Sequence, residues 1–143
     1  MPFRTRSAAH WVCLAAAAAC WLALAVLGAL LEPAPEGHGT HTQLGLPPCR
    51  FFELTGWPCP GCGVTTAVVL ATHGELARAF VTQPFGAALA LGMAMFPVWA
   101  LVQALRGRDL GERRPAWANR TTLVAAALLA LGAWAYRLIA APG

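Results

Sequence analysis

A chain of 143 residues, 58% hydrophobic and only 11% charged, is too apolar for a soluble globular domain and has the size of one domain or less. Its formal charge of +4 is small, and every basic residue is Arg. These Arg residues gather beside apolar runs with no interleaved aromatic residues, a pattern that argues against nucleic-acid binding and for membrane topology.

Arg4 and Arg6 precede Trp11–Leu31, an uninterrupted apolar run. At about 1.5 Å per residue the run covers roughly 30 Å, the thickness of a bilayer's hydrocarbon core. It exceeds the apolar core of a signal peptide, about 7–15 residues, and no clear small-x-small cleavage site lies before Pro33, so an uncleaved helix is expected. Residues 32–48 are rich in Pro, Gly and His and read as loop. After Cys49 and the cluster Cys59-Pro60-Gly61-Cys62-Gly63, the apolar segment Val64–Thr72 reads as helix. It covers about 14 Å, too little to cross a bilayer, so it is interfacial or re-entrant. Gly74 breaks the pattern and Glu75–Phe80 resumes it, with Leu76, Ala79 and Phe80 on one face and a Glu75–Arg78 pair on the other. Gln83-Pro84 ends that piece. Phe85–Leu105 is a second span despite Pro97, and Thr121–Ala140 a third, with Arg137 near its end, where a long side chain reaches the headgroups. Trp11, Trp117 and Trp134 suit an interfacial belt, and Trp57 is expected to pack beside Cys59.

The fold expected is therefore an all-α integral membrane protein. It is one membrane domain, residues 1–143, with spans at about 11–31, 85–105 and 121–140. A Cys-containing lid, residues 32–84, carries two short interfacial or re-entrant helices and lies on the outer face of a three-helix bundle. Arg4 and Arg6 stand before the first span, and Arg106, Arg108, Arg113, Arg114 and Arg120 join the second to the third. The middle segment has only Arg50 and Arg78 against Glu32, Glu36, Glu53 and Glu75. The positive-inside bias then puts the N-terminus in the cytoplasm and the Cys-containing loop outside it.

The chemistry sits in that loop. Two thiols separated by Pro-Gly have the form of a metal knuckle, and a tetrahedral site needs four ligands. Cys49 is the natural third, and His73, His38 or His41 the fourth. Cys49, Cys59, Cys62 and His73 are the set chosen, around a zinc-like ion. The same spacing serves redox chemistry, with Cys62 just before a helix N-terminus that lowers a thiol's pKa, in a compartment where disulfides persist. It also serves a disulfide or thiol turn that merely orders the lid. Gly63 stands where covalent haem attachment would need His. Cys13 and Cys20 share one face of the first span and read as small buried hydrophobes. No carboxylate pair or Ser-His-Asp set stands in the spans, so the reading leans away from an enzyme.

Cys49, Leu54-Thr55-Gly56, Cys59-Pro60-Gly61-Cys62-Gly63-Val64-Thr65 and His73-Gly74-Glu75-Leu76, in that order, resemble a family of small bacterial membrane proteins catalogued as a domain of unknown function (family 2752). The resemblance covers roughly residues 49–90. It implies that Cys49, Cys59, Cys62, Thr65 and His73 are signature positions, and it implies a bacterial inner-membrane setting. Thr66 stands where the family pattern has Arg, and Gln83 where Asn precedes Pro84. If that Arg contacts an anionic group, this chain has lost the contact or supplies it from Arg50 or Arg78. The family brings no activity with it. The functional expectation is a non-enzymatic membrane module with a cysteine-ordered, metal-binding lid, in contact with the lipid bilayer. The alternatives are a membrane-bound thiol-disulfide or metal-transfer protein using Cys59 and Cys62, and a subunit assembling with a membrane protein partner or with copies of itself.

Overall fold

The computed structural model describes residues 6–110 and 119–140. Arg4, Arg113, Arg114 and Trp117, used above for topology, lie outside them. Three long apolar helices, α1 (Ala8–Leu30), α5 (Pro84–Leu105) and α6 (Arg120–Ala140), each have the length and hydropathy to cross a membrane. Between α1 and α5 come a 3₁₀ turn (Thr40–Leu44) and three short helices, α2 (Arg50–Thr55), α3 (Val64–Thr72) and α4 (Leu76–Thr82). No strand occurs among the described residues. The three spans agree with the apolar runs to within a few residues. The lid has one short helix more than the two expected, and the 32–48 loop contains a turn of 3₁₀ helix.

α1 and α5 pack side by side through small residues, with Ala17 and Ala100 buried against Leu110 and bordered by Cys13, Leu14, Phe96 and Trp99. Small side chains let two helix backbones approach in a setting where lipid offers no hydrophobic drive for association. Pro97 removes one N–H from the α5 ladder, and in the preceding turn the Ala94 carbonyl accepts the Trp21 indole N–H at 3.2 Å. At the far end, Ser7 caps α1, its Oγ accepting the His10 N–H, and its own N–H and hydroxyl donate to Asp109 at 2.8 and 2.7 Å. His10 is fully buried there, and its Nδ1 accepts the Leu110 N–H. This latch ties the start of α1 to the chain leaving α5.

The lid does not simply lie on the bundle. α3 is the most buried element, with Thr66 through Leu70 closed off from solvent, and it descends between α1 and α5. Its first turn lies against Gly86 near the start of α5, and its last residue, Thr72, against Gly28 near the end of α1. Both contacts need glycine: a Cβ on Gly86 would stand 2.9 Å from the Ala67 Cβ and from the Val64 carbonyl oxygen, and one on Gly28 2.8 Å from Thr72 Oγ1. Ala71 and Thr72 also share a small apolar recess with Leu24, Ala90 and Ala94. α4 then carries the chain back to Gln83.

Candidate metal centre

The three thiols of the lid converge because three local devices bend the chain toward one point. Cys49 is the N-cap of α2. Gly56, in the left-handed conformation, ends that helix and returns its N–H to the Phe52 carbonyl, reversing the chain. Cys59-Pro60-Gly61-Cys62 then closes a tight turn, the Cys62 N–H donating to the Cys59 carbonyl at 3.0 Å. Gly63 follows at φ +86° and starts α3; a Cβ there would stand 2.8 Å from the Gly37 carbonyl oxygen. That close approach presses the 32–45 loop against the knuckle. The sulfurs of Cys49, Cys59 and Cys62 lie within 4.8 Å of one another, and all three are free thiols.

The sulfurs open onto a cavity of about 500 Å3. Its walls come from the 32–45 loop (Glu36, His38, Gly39, His41), from α2 (Phe52, Glu53), from the knuckle, and from Thr65 and Thr66 in the first turn of α3. The three thiols are electrostatically unequal. The backbone N–H of Phe52 at the start of α2 favours the Cys49 thiolate and, with smaller help from the Cys59 and Cys62 thiols and against some burial, holds its pKa below the ordinary thiol value. Burial pushes Cys62 up to about 12, with further upward pressure from Cys59.

Four contacts brace this frame. Pro58 is buried, and its carbonyl accepts the Trp134 indole N–H of α6 at 2.9 Å. Gln83, also buried, accepts the Phe85 and Gly86 N–H groups at the start of α5 through Oε1, while its amide N–H donates to the Pro60 carbonyl. Thr40 and Thr66 bond to each other at 2.8 Å, and Thr40 Oγ1 accepts the Ala34 N–H. Gln43 closes the neck of the 32–45 loop by exchanging two hydrogen bonds with the Glu32 backbone.

Of the residues chosen from the sequence, Cys49, Cys59 and Cys62 are brought together and His73 is not. His73 ends α3, a helix of nine residues and about 14 Å, with its Nε2 3.1 Å from the Gly28 carbonyl oxygen. The helix itself carries it away from the knuckle, and the ring helps seat the tip of α3 against α1. His38 and His41 line the cavity instead. Thr66 does not stand in for a cation; its hydroxyl ties α3 to the loop. Arg78 pairs with Glu75, as the spacing suggested, and Arg50 is exposed at the start of α2. Trp57 is half-exposed rather than packed beside Cys59. Cys13 and Cys20 are half-buried on α1, Cys13 against the α1–α5 contact.

The capping role of Gln83, and α2 itself, are not among the expectations drawn from the sequence. A polar residue before a Pro that opens a helix is a capping signal, and a short apolar-charged run ended by Gly56 is a helix with its C-terminal stop. Neither a curated protein nor a solved structure matches the chain. Residues 49–97, running from the first thiol through the knuckle, α3 and α4 to Pro97 in α5, match the model of the family described as a protein of unknown function (DUF2752), the family that the motifs resemble.

Proposed function

We propose that this chain is a non-enzymatic integral membrane module whose lid holds one thiophilic metal ion, zinc being the first candidate, on Cys49, Cys59 and Cys62. One observation carries the reading: the sulfurs of Cys49, Cys59 and Cys62, one from the cap of α2 and two from the knuckle, lie within 4.8 Å of one another on the wall of one cavity. Thiolates are soft donors suited to zinc and monovalent copper. Three ionised sulfurs this close would repel one another, and a cation among them removes the repulsion and draws off their protons. The Arg distribution supports an extracytoplasmic lid, and the three apolar helices support anchorage in the bilayer. Titrating Co2+ into the metal-stripped protein in detergent tests this. Thiolate-to-metal charge-transfer absorption should saturate at one ion per chain and collapse in Cys49→Ser and in Cys59→Ser. Its absence from the unaltered protein would sink the reading.

A second reading, thiol-disulfide or metal-transfer chemistry at Cys59 and Cys62, is favoured by the lowered pKa of Cys49. Oxidation of the pair would deliver two electrons and two protons to an external acceptor. The Cys49 thiolate could then attack the disulfide, forming one S–S bond as it releases the other sulfur as thiolate. Thiol titration separates the readings. A redox pair loses and regains two thiols with oxidant and reductant, whereas a metal centre yields its thiols only after chelation.

A further inference from the structure

Three thiolates leave a tetrahedral ion one donor short. The cavity wall offers His38, His41, Glu36 and Glu53. His38 is distinguished by how its ring is held. Its Nδ1 lies 3.0 Å from the Glu36 carbonyl oxygen. A carbonyl can only accept, so Nδ1 carries the proton and Nε2 keeps its lone pair. This is the outer bond that metal-binding histidines ordinarily make, fixing tautomer and ring orientation before the ion arrives. The ring also meets Phe52, with centroids 4.9 Å apart and the planes tilted by 49°, and Phe52 lies three residues from Cys49 on the wall of the same cavity. For His41, no such hydrogen bond to the ring occurs among the described residues.

We propose that His38, through Nε2, is the fourth ligand of the thiolate centre, completing a three-sulfur, one-nitrogen tetrahedral site that favours a divalent ion such as zinc over a three-coordinate monovalent one. The proposal rests on the metal-centre reading above. His38 lies outside the 4.8 Å sulfur cluster, on the wall of the same cavity, and it sits between Gly37 and Gly39, both with positive φ. A small shift of this glycine-flanked turn, carrying the ring and its bond to the Glu36 carbonyl together, brings Nε2 to the ion. Gln43 to Glu32 and Thr40 to Thr66 anchor the loop on either side of this turn. Metal binding then seals the 32–45 loop over the knuckle.

X-ray absorption on the zinc-loaded full chain in detergent tests this. The unaltered protein should show three sulfurs and the outer-shell scattering of one imidazole ring. His38→Ala should lose the imidazole signature, keep the sulfurs and bind zinc about ten-fold or more weakly. His41→Ala and His73→Ala should match the unaltered protein. His38→Cys should show four sulfurs, a gain that misfolding cannot mimic. An imidazole signature that persists in His38→Ala, or a sulfur-only shell in the unaltered protein, overturns the assignment of His38 and leaves the thiolate centre standing. Failure of the unaltered protein to take up zinc or cobalt overturns both.

Discussion

At the scale of single residues, the three thiols differ in ways that reactivity can read. Cys49 is half-exposed with its thiolate favoured by a backbone N–H, whereas Cys62 is buried and pushed up to about 12. The thiolate is the reactive form, so in metal-stripped protein near neutral pH Cys49 should be alkylated first and Cys62 last, as read by differential mass spectrometry. The reverse order would contradict this inequality between a half-exposed, favoured thiolate and a buried thiol. The sign for metal binding follows from the same protons. Every bound ion must displace them, so apparent zinc affinity should rise as pH rises from roughly 6 to 9 and fall on acidification. A flat profile in a competition titration would mean that thiols are not the ligands. Gln83 carries a structural prediction. Its side chain caps α5 and holds the Pro60 carbonyl, so Gln83→Ala should cost about 1–2 kcal/mol in denaturant unfolding and loosen the knuckle.

At the scale of elements, the spans were legible because a long apolar run has one interpretation in a chain this poor in charge. The lid was legible only in part. α2 is a single short turn and a half whose formation depends on Gly56 and on packing of the loop, so its periodicity is too brief to see. The depth of α3 is set by Gly28 and Gly86, which are ordinary glycines within apolar runs until Thr72 and Ala67 are seen against them. Cys49 could be linked to the knuckle from spacing, but His73 could not be rejected without knowing that α3 runs straight and away. Gly86→Ala should therefore destabilise the fold by about 1–3 kcal/mol, because the added methyl meets a backbone carbonyl that cannot move aside. Gly92→Ala is the matched control. Nothing lies within 4 Å of its Cβ position, and no loss is expected in the same thermal unfolding measurement.

At the scale of the whole molecule, the two ends of the bundle are built differently. One end is a polar latch, Ser7 and His10 with Asp109 and Leu110; the other carries the lid, fastened to α6 through Trp134 to Pro58 and Tyr136 to the Val81 carbonyl. The chain ends of α1, α5 and α6 at the lid agree with three crossings, and with α3 and α4 as a hairpin that dips beside α1 and α5 and returns to the same face. What remains exposed along the spans is almost entirely apolar, as contact with lipid requires. The central claim is that the lid is a metal centre, and metal content tests it most directly. Elemental analysis of gently purified full-length protein should find close to one zinc-like ion per chain, lost in the Cys59→Ser, Cys62→Ser variant. No bound metal in the unaltered protein, or equal metal in the variant, would contradict it.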